Sequence, residues 1–212
     1  MDKQLSAALL LVLAGGLFSL YAYSLLPEEI AIHWNVRGDV DGFAGRGFIF
    51  FIPVLSLFLV LLLWYIPNID PRKKHIEKFR GTYNQFIIVM AGFMTYIGVL
   101  AAGANLGWIG NISRFLAPAM GLLFYFTGNL LERSRSSLFI GIRTPWTLSS
   151  DKVWEKTHKL GGRMFKVFGV LFAIGMLASP EAAMLPLILV LVAGVFWLFL
   201  YSYLEWKKER NN

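Results

Sequence analysis

Apolar residues along this chain fall into six long runs separated by polar segments. The runs cover Leu5–Leu26, Phe48–Ile66, Thr82–Gly103, Phe115–Leu131, Gly162–Ala178 and Ala182–Leu204. Each lies within the roughly 17–25 residues that an α-helix needs to cross the hydrocarbon layer of a bilayer. Only the fifth run holds ionised residues, Arg163 and Lys166. Both lie near its start, where long basic stems are expected to snorkel to the headgroups. Pro53, Pro118 and Pro186 fall in the first two turns of their runs, where a missing backbone N–H costs least. The pattern predicts an all-α, polytopic membrane protein of six transmembrane helices, arranged as three helical hairpins in one bundle. Residues 1–81 form its N-terminal hairpin and residues 82–212 a four-helix region. Gly92, Gly98 and Gly103, with Ala91, Ala101 and Ala102, predict the closest helix packing in the third span. The first run is longer than a signal-peptide core of about 7–15 residues and no small-residue cleavage pattern follows, so it reads as a retained helix.

Composition agrees. Of 212 residues, 57% are hydrophobic and 16% charged, and mean hydropathy is +0.59. That leaves too little polar surface to cover a water-soluble globule. A net charge of +7 raises the question of nucleic acid. Among the 20 Lys and Arg, however, only Arg37, Arg46 and Arg114 lie on one side of the spans. The positive-inside rule puts the other side, with both termini, in the cytoplasm. The basic loops then fix topology and touch anionic lipid, and no nucleic-acid partner is needed. Cys is absent, which excludes disulfides, thiolate metal sites and Cys nucleophiles.

Two loops carry the chemistry. The outer loop, residues 27–47, reads PEEIAIHWNVRGDVDGFAGRG. Ile30, Ile32 and Trp34 alternate with Ala31 and His33, which predicts a short extended piece. Asn35, Gly38, Asp39, Asp41 and Gly42 are turn formers, and Asp41-Gly42 is the expected tight turn. His33 beside Trp34 suits a peptide anchor. His33, Asp39 and Asp41 also match a facial-triad composition, though without a second His and with loose spacing.

The inner loop, residues 132–161, contains FIGIRTPWTLSSDKVWEKTHKLGG. Thr144 before Pro145 fits a helix N-cap with Pro in the first helical position. Ser149 or Ser150 offers a second cap. Val153, Trp154, Thr157, Leu160, Gly161 and Met164 share one stripe, with Lys152, Lys156 and Lys159 opposite. This predicts an amphipathic helix on the inner membrane face that ends at Gly161-Gly162. Arg143 stands in an apolar run and needs a partner. Glu132, Asp151 or Trp146 could supply it, either to pin the loop or to leave the guanidinium for a binding partner. His158 reads as a helix-face histidine. No phosphate-binding loop, HExxH or G-x-S-x-G string occurs, and no carboxylate lies mid-span, against an ion-coupled pump.

Phe139–Phe165, FIGIRTPWTLSSDKVWEKTHKLGGRMF, resembles the signature of the SdpI family, membrane proteins of toxin immunity and signalling. Leu26–Gly47 resembles the small domain that precedes it in many members. The resemblance implies a multi-pass protein of the prokaryotic cell membrane with no enzymatic activity and no cofactor. Its implied partners are the lipid bilayer, a secreted peptide toxin and a cytosolic transcriptional repressor. His33, Trp34, Asn35, Gly38, Asp41 and Gly42 would face the toxin. Arg143, Thr144, Pro145, Trp146, Thr147, Trp154 and His158 would face the repressor or hold the bundle's shape. Two alternatives stand beside this reading. One is a membrane-embedded enzyme, possibly a metal-dependent hydrolase, using His33, Asp39 and Asp41, or His158 with Asp151 and Glu155. The other is a transporter of small solutes or peptides.

Overall fold

A computed structural model describes residues 3–211. The chain is mostly helical, in the order α1 (Lys3–Tyr23), β1 (Glu29–Trp34), β2 (Val40–Gly45), α2 (Phe51–Ile69), α3 (Lys73–Glu77), α4 (Arg80–Asn105), α5 (Ile112–Arg133), α6 (Pro145–Ser149), α7 (Asp151–Ala178) and α8 (Pro180–Arg210). A 3-10 turn, Arg46–Phe50, leads into α2. Helices α1, α2 (with its 3-10 turn), α4, α7 and α8 are long and apolar enough to cross a membrane. The fourth expected span is the 22-residue α5, which is more polar and packs deepest against α7. Val54, Phe58 and Leu61 on α2 and Leu185, Leu189 and Phe196 on α8 are exposed. Such faces are stable against lipid tails rather than water.

The bundle has two groups. Helices α1, α2 and α4 pack together around Ala8, Val60, Tyr83, Ile87 and Ala91. Helices α5, α7 and α8 form the other group, and α4 against α5 joins them. The tightest pair is therefore α5 with α7, which are not consecutive in the chain, and not the glycine-bearing α4. A Cβ at Gly121 would sit 2.6 Å from the Gly169 carbonyl oxygen, and one at Gly162 would sit 2.5 Å from that of Gly128. Only glycine lets two backbones approach this closely. In α4, a Cβ at Gly98 would meet Ile52 at an ordinary 3.5 Å.

Two further expectations are corrected. The inner amphipathic stripe does not end at Gly161-Gly162 and is not a separate helix. It forms the first turns of the continuous 28-residue α7, with Val153, Trp154, Thr157 and His158 buried against the bundle. The two glycines serve close packing, and a helix tolerates them when packing supplies the stability. Lys166 does not snorkel: its Nζ donates to Glu132 at 2.6 Å, tying α7 to α5.

Candidate functional site

The outer loop folds as an antiparallel β-hairpin, the one departure from an all-α fold among the described residues. Its turn is not at Asp41-Gly42. The Asn35 side chain accepts from the N–H groups of Arg37 (2.9 Å) and Asp39 (3.1 Å), and Gly38 follows with φ +90°. This Asx-type turn uses the short amide of Asn35 as a surrogate backbone group. Asp41 and Gly42 lie within β2, and Gly42 pairs with His33 across the sheet.

Asp41 therefore acts across the strands. His33 Nδ1 lies 2.5 Å from its carboxylate. His33 Nε2 has no partner among the described residues. Asp39 turns elsewhere, to Asn35 and to the Arg37 guanidinium at 3.0 Å. The Asn35 amide and then Arg37 hold its carboxyl below the usual carboxylate range. His33, Asp39 and Asp41 thus do not converge as a triad, and no group of three metal-ligating side chains occurs among the described residues.

The hairpin is anchored to the bundle by two asparagines that the sequence analysis does not single out. Asn105, at the end of α4, accepts from Ala31 N (2.7 Å) and donates to Ala31 O (2.9 Å). Asn111 donates to Arg37 O at 2.8 Å and caps α5. So anchored, the hairpin roofs an apolar cavity of about 300 Å³ lined by Ile30, Ile32, Ile49, Ile52, Ile97 and Leu116, with His33, Trp34, Asn105 and Ser113 at its polar side. A second cavity of about 350 Å³ opens on the other side of Trp34, between α5, α7 and α8. His33 and Trp34 line the first cavity, Asp41 is tied to it through His33, and Asn35 and Gly38 shape the turn beside it.

At the opposite, basic end the signature string forms a knot. Thr144 caps α6 with Pro145 in the first turn, and Thr147 returns the bond in a capping box. Thr144 Oγ1 also meets Ser202 Oγ of α8 at 3.0 Å. Trp146 packs edge-on to Phe199 and beside Tyr203. Arg143 pairs with neither Glu132 nor Asp151 and does not stack on Trp146. It is exposed, and its Nη1 donates to Leu138 O at 2.5 Å, closing the loop on itself.

His158 is buried and stacked on Trp154 at 3.9 Å. Its Nε2 accepts from Ile142 N at 2.7 Å, so Nδ1 bears the proton and donates to Trp154 O at 2.9 Å. Both ring nitrogens are used, which leaves none for proton transfer or a ligand. Gly141 makes this possible: its φ is +117°, and a Cβ there would stand 2.5 Å from His158 Nε2.

Sequence reading missed Asp70 entirely. It follows α2, is buried, and accepts from Arg72 N (2.7 Å), Leu138 N (2.9 Å) and Phe139 N (3.2 Å). Arg72 adds bonds to Ser136 Oγ and Leu148 O, and His75 Nδ1 meets Ser136 O at 2.8 Å. The signal was a carboxylate set between a span and a basic run, next to Pro71. These contacts lock the loop after α2, the helix that walls the cavity at the other end, to the signature loop.

Comparison with known proteins agrees with the residues. The SdpI/YfhL protein family profile matches residues 133–202, and a domain of unknown function, DUF1648, matches residues 10–57. The chain is 25% identical over 201 residues to "Immunity protein SdpI" of Bacillus subtilis (strain 168), covering 95% of each chain. No solved structure matches. The chain is a multi-pass cell-membrane protein.

Proposed function

We propose that this chain, which carries an SdpI/YfhL family region behind a DUF1648 region, is a non-enzymatic immunity and signalling protein. It binds a secreted peptide toxin at its outer face and holds a cytosolic transcriptional repressor at its inner face. The hairpin end is outer, and both termini are cytoplasmic. The chain crosses the membrane six times as an N-terminal hairpin, residues 1–81, followed by a four-helix region, residues 82–212. Antiparallel packing of α5 along α7, with Gly121 opposite Gly169 and Gly128 opposite Gly162, supports α5 as a span beside the other five. The basic end, with Arg72, Lys73, Lys74, Lys78, Arg135 and Lys152, supports the orientation.

The observation that carries the reading is the anchored hairpin over an apolar cavity, in a chain related along its whole length to a protein named for immunity. For signalling, the peptide must favour one packing of the bundle over another, since equal affinity shifts nothing. The Asp70 clamp gives α2 a direct hold on the signature loop, a route for such a shift. The test is survival of sensitive cells expressing the protein and challenged with the secreted membrane-active peptides of its own host. Wild type should protect, and His33→Ala/Trp34→Ala at equal membrane abundance should not. Absence of protection by wild type against every such peptide would overturn the reading.

A further inference from the structure

Charge around the hairpin-end cavity is lopsided in a way that bears on what enters it. The hairpin loop carries four carboxylates, Glu28, Glu29, Asp39 and Asp41, against two guanidiniums, Arg37 and Arg46. Arg37 is taken up by Asp39 at 3.0 Å. Arg46 lies over the Tyr23 ring, 4.8 Å from its centroid. Glu28 and Glu29 make no ion pair among the described residues, and Asp41 meets only His33. Arg114 and Glu181, on the other connections at this end, offset one another. At the cavity's polar side, then, stands His33, with the Asp41 carboxylate, a hydrogen-bond acceptor, 2.5 Å from its Nδ1. Behind them the wall is aliphatic: Ile30, Ile32, Ile49, Ile52, Ile97 and Leu116.

We infer that the cavity recognises a cationic amphipathic peptide, its apolar side chains in the cavity and an ammonium group on the His33–Asp41 pair. The inference rests on the reading above that the outer face binds a secreted peptide, and it names that peptide's chemical class. A lysine or terminal ammonium offers three donors and no acceptor, which complements the Asp41 carboxylate. Burial of its apolar row supplies most of the affinity, and the charged rim supplies selectivity and encounter rate. An acyl chain would also suit the aliphatic wall. Its phosphate headgroup, however, would face Asp41 with the unpaired Glu28 and Glu29 on the same loop, and like charges brought together disfavour it.

The test uses the full chain in nanodiscs of zwitterionic lipid, with empty discs subtracted. Three fluorescent synthetic helical peptides share one leucine face and carry Lys, Gln or Glu on the other. The Lys probe should bind about fivefold tighter than the Gln probe, the scale of one exposed ion pair, and the Glu probe should bind weakest. Asp41→Asn should abolish the preference for Lys over Gln. Ile97→Trp should fill the cavity and weaken all three probes at least tenfold, and Leu116→Phe repeats that test should Ile97→Trp lower membrane abundance. Equal binding of the three probes, binding of none, or a Lys preference that survives Asp41→Asn would overturn the inference. So would a fluorescent phosphatidylglycerol that binds more tightly than the Lys probe and is lost in Ile97→Trp. Protection of cells by wild type without any charge preference here overturns the cationic class alone. Charge preference without protection overturns the immunity reading alone.

Discussion

Replacing Gly141 by alanine tests whether the signature string is a structural knot built around His158. A non-glycine residue at φ +117° is strained, by on the order of 1–2 kcal/mol. The new methyl would stand 2.5 Å from His158 Nε2 and 2.8 Å from Trp154 Cζ2. Both rings are fully buried and stacked, so they cannot swing aside, and overpacking of this kind costs about 1–3 kcal/mol. Displacing His158 also breaks its bond from Ile142 N, worth about 1 kcal/mol. The sum is about 3–6 kcal/mol. For a chain of this size each kcal/mol moves the midpoint by about 2–4 °C, so the apparent Tm should fall by roughly 10 °C. Tryptophan fluorescence during thermal unfolding in detergent reads it. Gly141→Ala/His158→Ala removes the obstructing ring, so the double variant should be less destabilised than the sum of the singles. A Tm within about 2 °C of wild type for Gly141→Ala, or strict additivity in the double variant, would refute the reasoning.

Three other perturbations follow from the same contacts. Asp70→Asn turns an amide donor toward the N–H groups of Leu138 and Phe139 and should cost about 1–3 kcal/mol, with faster tryptic cleavage at Arg135 or Arg143 in inside-out vesicles. Asn105→Ala strips the partners from both backbone groups of Ala31; hydrogen exchange across residues 29–34 should accelerate while that of α5 and α7 stays unchanged. Lys166→Met leaves Glu132 half-buried and alone between α5 and α7 and should destabilise more than the Glu132→Gln/Lys166→Met pair, as thermal unfolding of the two variants would show.

How much of this was legible depends on whether a residue acts locally. The apolar runs became helices with shifted ends, because burial periodicity and length are properties of the run itself. Thr144-Pro145 formed its cap for the same reason. Gly161-Gly162 reads as a stop locally but serves packing, since Gly162 faces Gly128 on a helix some thirty residues upstream. Asp41-Gly42 is the stronger turn dipeptide in isolation. Asn35 and Gly38 won because Asn111 and Ser113 hold that turn against α5. Of the outer candidates, His33 and Trp34 line the cavity and Asp41 pairs with His33, while Asp39 is drawn off by Arg37. The role of Asp70 was invisible because its partners, Leu138 and Phe139, lie on the far side of three helices in sequence. The protonation of His158 depends on the Ile142 N–H, which only the folded loop supplies.

The central claim is that a secreted peptide binds beneath the hairpin and is felt at the signature loop. Hydrogen exchange of the full chain in nanodiscs, with and without the host peptide against which it protects, tests this most directly. Slower exchange is expected at residues 29–34 and 105–116, together with altered exchange at residues 134–148. Protection confined to the basic end, or no change at the hairpin at saturating peptide, would contradict it.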